Sequence, residues 1–477
     1  MKKYLIISTS FVLLLTACTK NISRFNEQTK SPANVPPSTL FSNAVRTLTD
    51  GLTSSNVNTN VYRLVVQQWA TTTYQDEPNY DFTTRNIPQA WWARMYRDVL
   101  VDLKEAQRLI PSDINITDEG QRKNQIAISD IMQVFTYSVL VNTFGNVPYN
   151  EALDPANLFP KYDDAKAIYD ALFVRLDADI AALNAASPGF SITADLVYGG
   201  SVAKWIRFAN SLKMKLGMMV ADVDVNKAKT AVESADANAF QSAADNALFT
   251  YLKTTPNTNP IWVDLIQSNR QDFIAANTLI DKLKVLNDPR LSLYFKPNDA
   301  GAYVGGKPGS NNTFSDYAKV ADKVTAQDFP GLLLDYVEIE FYRAEAKERG
   351  FSVAGTAEQH YNNAITASIL YWGGTAAQAD AYLALPAVAY STASGNYKEK
   401  IGTQKWIALQ NRGYEAWTEY RRLDFPVLVP PTTAKSGFPN RFTYPTNEQT
   451  LNGSNYTEAA AKMGGDRVES KIFWDKF

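Results

Sequence analysis

The chain has very little cysteine and histidine for its length. Among 477 residues there is one cysteine, Cys18, and one histidine, His360. A disulfide needs two cysteines and a thiolate metal cluster needs several, so both are excluded. Catalysis that depends on a histidine beside a nucleophile or a metal is nearly excluded as well. Stability must therefore come from a packed core, and 45% hydrophobic residues suffice to build one at this length.

The chain also lacks a long apolar run and a strong net charge. The apolar run near the N-terminus spans 4–15, which is shorter than the roughly 20 residues of a membrane-spanning helix. No run of about 18 apolar residues follows it. The formal net charge is −2. A nucleic-acid partner requires a basic face, so we expect no nucleic-acid partner.

The N-terminal segment that ends at Cys18 has the layout of a secretory signal. Lys2 and Lys3 precede the apolar run, and the small residues Thr16 and Ala17 lead directly into Cys18. The sequence "LLLTAC" resembles the bacterial lipobox. That resemblance implies cleavage before Cys18 and a diacylglycerol on its sulfur. A cysteine that carries two or more acyl chains anchors a protein firmly without a transmembrane helix.

We therefore expect three parts in the chain. Residues 1–17 are predicted to be a signal peptide, and 18–30 a lipidated tether whose polar sequence stays extended. Residues 31–477 are predicted to form a single domain. The membrane contact of the mature protein would then be the lipid anchor alone.

Helical periodicity dominates the rest of the chain. Apolar residues recur at helical spacing within 121–144, 163–184, 201–221 and 332–349. A capping-box sequence, Thr356-x-x-Gln359, starts a further helix that runs to 372. Helix, short turn and helix recur, which is typical of antiparallel helix pairs such as tetratricopeptide repeats. We predict an all-α-dominated fold of stacked antiparallel helix pairs, with long irregular loops and a few short strands.

Four long polar segments interrupt the helices, at 71–90, 253–261, 296–330 and 425–450. Loops of this length on a rigid scaffold often carry function. Aromatic residues make up 12% of the chain, and tyrosine and tryptophan offer flat apolar faces with a polar edge. The candidate ligand-binding residues are the aromatic residues in or beside these loops: Trp69, Tyr74, Tyr80, Trp262 and Tyr303.

Two helical patterns allow a functional and a structural interpretation. Tyr414, Trp417 and Arg421 share a helix face and could hold a sugar ring, but we favour an aromatic core stripe with Arg421 or Arg422 in an ion pair. The carboxylates at 335, 338, 345 and 348 could in principle include a glycosidase pair. They interleave with basic residues, so we predict instead a solvated, salt-bridged helix face.

The chain resembles the SusD/RagB-like outer-membrane lipoproteins of Bacteroidetes, specifically the SusD-like nutrient-binding subgroup. The stretches that carry the resemblance are "NTFGNVPYNEAL" (142–153), "KWIRFANSLKMKLGM" (204–218), "NDPRLSLYF" (287–295), "EIEFYRAEAKERG" (338–350), "QKWIALQNRGYEAWTEYRRLDFPVL" (404–428), "YPTNEQTLN" (444–452) and "GGDRVESKIFWDK" (464–476). They run along nearly the whole chain.

The resemblance implies a lipid-anchored protein of the outer membrane that faces the cell exterior. Such a protein captures an oligosaccharide or peptide ligand and delivers it to a SusC-like TonB-dependent transporter, with no catalysis. We expect no cofactor and no metal site. The residues leave two alternatives open. One is a lipid-anchored, all-helical glycoside hydrolase or lyase, and the other is a structural surface lipoprotein without a ligand.

Overall fold

The computed structural model describes residues 35–477, so Cys18 and the predicted signal peptide and tether lie outside the described residues. Helices dominate, as predicted. The α-helices are α1 (Pro37–Thr53), α2 (Tyr62–Val65), α3 (Ile87–Ala93), α4 (Val101–Leu109), α5 (Glu119–Phe144), α6 (Ala165–Ala182), α7 (Val202–Met219), α8 (Val225–Ala235), α9 (Asn277–Val285), α10 (Leu291–Tyr294), α11 (Tyr336–Glu348), α12 (Ala357–Trp372), α13 (Ala376–Leu383), α14 (Tyr397–Ala408), α15 (Gly413–Leu423), α16 (Thr446–Leu451) and α17 (Gly453–Lys462). The strands are β1 (Trp69–Thr71), β2 (Leu248–Phe249), β3 (Phe273–Ala275), β4 (Phe295–Lys296), β5 (Lys319–Val320) and β6 (Gly331–Leu332).

Helices that are neighbours in sequence pack together as pairs. The most extensive contacts join α11 to α12, α7 to α8, and α5 to α6. The predicted capping box starts α12: Gln359 N donates to Thr356 Oγ1 at 3.1 Å, and Thr356 N donates to Gln359 Oε1 at 2.9 Å. Gly373 ends this helix with a φ of 100°, which a residue without Cβ adopts freely. The prediction of stacked antiparallel helix pairs is confirmed.

Helix α5 runs through the main hydrophobic core. Asp118 caps its first turn by accepting a hydrogen bond from Gly120 N at 2.6 Å, and Gly145 follows its last residue with a φ of 84°. Its length and a mean hydropathy of 1.2 over 18 residues would allow it to cross a membrane. However, 94% of that window is buried inside the protein, so α5 is a core helix. No other helix within 35–477 passes the same test.

The long loops are drawn together by short strands. Strand β1 pairs antiparallel with β3 and places Thr71 opposite Phe273. Asn312 Nδ2 donates to Thr71 O at 2.9 Å, which ties the third long loop to the first. Thr433 Oγ1 donates to Asn79 Oδ1 at 2.6 Å, which adds the C-terminal loop. Segments far apart in sequence therefore form one loop cluster beside the helical scaffold.

The charges of α11 form ion pairs, but the prediction of a solvated face is wrong. Of the four carboxylates at 335, 338, 345 and 348, only Glu348 is exposed, while Glu338 and Glu345 are completely buried. Arg412 Nη2 lies 2.5 Å from Glu338 Oε1, and Arg422 Nη1 lies 2.6 Å from Glu345 Oε1. These partners come from α15 and the turn before it. The alternation of acidic and basic residues within one helix gives no information about the helices that pack against it. It therefore cannot distinguish a solvent-exposed charged face from a buried network of ion pairs.

The aromatic stripe of α15 is part of the core, as predicted. Tyr414 and Trp417 are buried, and the Arg421 guanidinium lies 3.5 Å from the centroid of the Trp417 ring. Arg422 forms the predicted ion pair, with Nη2 at 2.7 Å from Glu419 Oε2. None of these rings is accessible as a sugar platform.

Candidate ligand-binding groove

A groove of about 280 Å³ opens between the end of α1, strand β3 and the loop after β1. We call it the Tyr74 groove. Its lining residues are Ser55, Asn56, Val57, Asn58, Tyr74, Val263, Asp264, Ser268, Arg270, Asp272 and Phe273. Tyr74 is the one sequence-predicted residue among them.

Strand pairing brings Tyr74 to the groove. Thr72 N donates to Asp272 O at 2.9 Å, which extends the β1–β3 ladder by one residue and leaves Tyr74 beside 270–272. The Arg270 guanidinium donates to the Tyr74 hydroxyl, and Arg270 Nε lies 2.5 Å from Asp272 Oδ2. The Tyr74 hydroxyl lies 3.4 Å from the same carboxylate oxygen. The three side chains thus hold one another in place.

Two guanidinium groups lie over the Tyr74 ring. The Arg85 and Arg270 guanidinium carbons are 5.0 Å and 5.6 Å from its centroid, within cation–π range. Arg85 is itself fixed by an ion pair with the buried Glu77. Burial, followed by the negative charge of Asp272, raises the pKa of the Tyr74 phenol. The ring therefore stays neutral at physiological pH and remains a hydrogen-bond donor and acceptor.

Asp264 forms the opposite wall. Its Oδ2 accepts hydrogen bonds from Ser54 Oγ at 2.9 Å, from Ser55 N at 3.0 Å and from Ser55 Oγ at 3.1 Å. Behind this wall Arg63 is buried, and its guanidinium donates to Ser54 O at 2.8 Å and to Asn411 O at 2.8 Å. The turn at 54–55 is thus held from both sides, which gives the groove a rigid wall.

Trp262 is the one tryptophan in the described residues that is not buried; it is partly exposed. All nine tryptophans lie within 35–477, and the other eight are at most 8% exposed. Trp262 begins a π-helical segment, Trp262–Gln267, whose next two residues, Val263 and Asp264, line the groove. Val263 and Ile266 are exposed. An accessible apolar rim on this segment therefore adjoins the groove.

Tyr303 lies outside the groove lining. It is half-buried and packs against the main core. The adjacent Val304 O accepts a hydrogen bond from Ala318 N at 2.7 Å, and Gly306 N donates to Ala275 O at 2.8 Å. Its segment therefore continues the loop cluster beyond β3, next to the groove and not within it.

Trp69 and Tyr80 are buried, at 1% and 3% exposure. The Trp69 ring lies 5.7 Å from that of Phe273 across the β1–β3 pair. Tyr80 contacts Phe438 of the C-terminal loop, with ring centroids 6.0 Å apart. Polar neighbours in the sequence suggested exposure, but strand pairing and a loop from the far end of the chain cover both rings. Neither ring face is available to a ligand in this conformation.

Sequence reasoning missed Arg270, Asp272 and Asp264. The run at 268–272 is polar and contains Asn269 with a positive φ of 53°, a conformation that asparagine tolerates. The signal available in the sequence is this polar turn shortly after the candidate Trp262. Tyr74, which contacts Arg270 and Asp272, comes far earlier in the sequence, and only the β1–β3 pairing brings it to the turn.

The groove chemistry is suited to holding a neutral polar molecule. Guanidinium, carboxylate and phenol groups supply donors and acceptors, while Phe273 and Val263 supply apolar surface. Within 35–477 no three His, Cys, Asp or Glu side chains are grouped as metal ligands would be. Asp264 and Asp272 are each engaged as hydrogen-bond acceptors that hold the groove together.

Comparison with solved structures gives strong matches along nearly the whole chain. A chitin-binding protein is 27% identical with a TM-score of 0.80, covering 92% of this chain and 100% of that one. A SusD homolog from Bacteroides uniformis is 28% identical with a TM-score of 0.78, covering 92% and 99%. A chitin-binding SusD homolog from Flavobacterium johnsoniae, at 23% identity and a TM-score of 0.78, covers 92% and 98% and shares the fold.

No curated protein matches the chain significantly. A family model matches residues 29–445, which is most of the chain, and the family is described as SusD-like, starch-binding and associating with the outer membrane. The fold and the family model agree with the resemblance of the sequence stretches. The chain therefore belongs to the SusD-like family of outer-membrane-associated, starch-binding proteins.

Proposed function

We propose that this protein is a lipid-anchored glycan-binding subunit that holds oligosaccharides in the Tyr74 groove. The observation that carries the proposal is the partial exposure of Trp262, whose next two residues in sequence, Val263 and Asp264, line the groove that contains Tyr74. Burial of apolar surface stabilises the folded state, so a tryptophan that stays partly exposed contributes less to stability than a buried one. The other eight tryptophans are buried. A flat ring of this kind can stack on the apolar face of a sugar, while groove side chains bond its hydroxyls.

The groove favours a neutral ligand over a strongly acidic one. The one guanidinium that lines the groove, that of Arg270, already has a carboxylate partner in Asp272. Arg85, which lies over the Tyr74 ring, is paired with Glu77. A charged ligand would have to displace these pairs. Neutral starch- or chitin-type oligosaccharides need only hydrogen bonds and a stacking surface. Tyr74 and Trp262 are the proposed contact residues, with Tyr303 at the margin of the site.

Cys18 and the transporter complete the proposal. Lipidation of Cys18 would place the domain at the outer membrane, facing outwards, where a bound oligosaccharide could pass to a SusC-like TonB-dependent transporter. Membership of an outer-membrane-associated family supports this arrangement. Replacing Cys18 with alanine should abolish palmitate labelling and release the protein from the membrane. Labelling that survives the replacement would contradict the anchor.

One series of incubations distinguishes a binding protein from an enzyme. The mature protein is mixed with starch-type and chitin-type oligosaccharides and, in parallel, with peptides. Binding is measured by calorimetry, and the mixtures are then analysed for shortened products. The proposal expects heat with an oligosaccharide and no product. Turnover that disappears on replacing one carboxylate would establish a hydrolase or lyase instead.

The other outcomes are equally distinct. Heat with peptides alone would assign a peptide ligand. No heat with any compound, together with normal growth of a deletion strain on every nutrient, would indicate a structural lipoprotein.

A further inference from the structure

Tyr74 lies in a segment that belongs to no helix or strand. Strand β1 ends at Thr71, and the next regular element is a 3₁₀ turn at Glu77–Asn79. A segment outside regular structure keeps one conformation only where other contacts hold it. Two asparagine side chains supply such contacts, one at each end of the segment. Both bind the same stretch of the third long loop, which we call the 307–312 turn.

Asn312 ties the start of the segment to this turn. Its side chain is 8% exposed, and Nδ2 donates to Thr71 O at 2.9 Å. The same amide closes the turn, because Nδ2 also donates to Ser310 O at 2.9 Å and to Lys307 O at 3.1 Å. Its Oδ1 accepts from Lys307 N at 3.1 Å. One side chain therefore fixes the shape of the turn and joins it to the last residue of β1.

Asn79 ties the end of the segment to the same turn. It is 7% exposed, and its Nδ2 donates to Gly309 O at 3.1 Å and to Gln75 O at 2.7 Å. The turn approaches closely here, since a Cβ added at Gly309 would lie 2.4 Å from Asn79 Oδ1. Tyr74 thus lies between two ties to one turn.

We propose that Asn312 is a positioning residue for the Tyr74 groove, because it holds the backbone from which Tyr74 reaches the ligand. Asn312 does not line the groove and acts through Thr71, whose Oγ1 donates to Tyr74 O. The Tyr74 phenol is held separately by Arg270 and Asp272. A site that is ordered in advance loses less conformational entropy on binding. The inference rests on the proposed glycan-binding function of this groove.

Asn124 offers a matched control on the helical scaffold. It is completely buried in α5, and its Nδ2 donates to Asn184 O, Ser187 O and Pro188 O, each at 3.0 Å. Its Oδ1 accepts from Asn184 N at 2.8 Å. This amide thus closes and ties the loop after α6 as Asn312 closes and ties the 307–312 turn. None of these residues lines the Tyr74 groove.

Calorimetry with maltohexaose and chitohexaose compares Asn312→Ala and Asn124→Ala with the wild type, at a temperature where circular dichroism shows all three folded. Both variants should have a lower melting temperature, because each loses several buried hydrogen bonds. Only Asn312→Ala should also weaken oligosaccharide binding, by about three- to tenfold, the cost of ordering a group on binding. Asn79→Ala, at the other tie, should weaken binding in the same way, and it replaces Asn312→Ala if that variant does not fold.

Hydrogen exchange of the free protein gives a second readout that needs no ligand. Backbone amides within 72–78 should exchange faster in Asn312→Ala than in the wild type, because the start of the segment is released. They should exchange at the wild-type rate in Asn124→Ala.

The outcomes separate this inference from the proposed function. A wild type that binds neither oligosaccharide would contradict the proposed function, and the inference with it. If the wild type binds and Asn312→Ala binds equally tightly, or if Asn312→Ala and Asn124→Ala lose affinity equally, only the positioning role is overturned. Unchanged exchange within 72–78 in Asn312→Ala would overturn that role whatever the wild type binds.

Discussion

Arg422 and Glu345 form an ion pair in the core, with Arg422 Nη1 2.6 Å from Glu345 Oε1 and side chains only 2% and 0% exposed. Arg422 also holds Glu419, and Glu345 also accepts from Arg349 Nε at 2.8 Å. The pair therefore links α11 to α15 within a chain of buried charges. Helices that face each other here are joined by ionic contacts as well as by apolar packing.

Removing one partner of this pair should be costly. Glu345→Ala leaves the Arg422 guanidinium buried with fewer counter-charges, and we expect a loss of about 3–5 kcal/mol in the free energy of unfolding. Urea denaturation measures it. The control is Glu458→Ala, which breaks an exposed pair with Lys462 and should leave the denaturation midpoint unchanged. Equal midpoints for the two variants would contradict the buried network.

The single histidine should titrate above its usual range. His360 Nδ1 lies 2.9 Å from Glu340 Oε2 and Nε2 lies 2.6 Å from Ala354 O, so both ring nitrogens face acceptors. Burial lowers the pKa of His360, but these hydrogen bonds raise it by more, and the net shift is upward. Because the chain has one imidazole, its NMR titration is unambiguous and should give a pKa above about 6.5.

The sign of the stability effect follows from that shift. The protonated ring is bound more tightly in the folded state, so its contribution is complete below the unfolded pKa of about 6.5. It is lost as the pH rises through the folded-state pKa. Wild type should therefore lose this part of its stability towards alkaline pH, and His360→Gln should not. A measured pKa at or below about 6.5 would be the contrary result.

Gly145 should tolerate alanine poorly. Its φ of 84° and ψ of −119° lie in a region that is almost restricted to glycine, and an added Cβ would lie 2.6 Å from Met463 Cε. Gly350 has a φ of 76° but nothing within 4 Å of an added Cβ. Gly350→Ala should cost about 1–2 kcal/mol in the free energy of unfolding, and Gly145→Ala should cost more. Chemical denaturation of both variants makes the comparison.

The aromatic residues of the loop cluster should separate into two classes. Tyr74→Ala should weaken oligosaccharide binding by about 1–3 kcal/mol, the range for truncating an interface anchor, and should cost less stability than Tyr80→Ala because its ring is only partly buried. Tyr80→Ala should instead cost about 3–5 kcal/mol of stability, because its ring is buried. Calorimetry and thermal unfolding distinguish the two effects.

A matched control for Tyr74 is available on the helical scaffold. Tyr397 is likewise partly exposed and lies under a guanidinium, with Arg349 6.0 Å from its ring centroid, but it is not part of the groove lining. Tyr397→Ala should leave the affinity unchanged. If Tyr74→Ala and Tyr397→Ala bind equally well, Tyr74 is not a contact residue.

The helical scaffold could be predicted from sequence because its signals are local. The stripes of α5 and α6 repeat within each helix, and the Thr356 capping box is contained in a single helical turn. Burial of loop residues depends on distant partners. Tyr80 lies in polar, turn-rich surroundings as Tyr74 does, and the contact to Phe438 decides its burial. The contact to Phe273 across the strand pair covers Trp69. The same reason hid the buried partners of Glu338 and Glu345.

The central claim is that Trp262 is left partly exposed in order to bind a glycan, and tryptophan fluorescence tests it most directly. Because the other eight tryptophans are buried, the fraction quenched by acrylamide should come almost entirely from Trp262 and should disappear in Trp262→Phe. Saturation with an oligosaccharide that binds in calorimetry should protect this fraction from acrylamide. A quenchable fraction that stays unchanged when the oligosaccharide is bound would contradict the account.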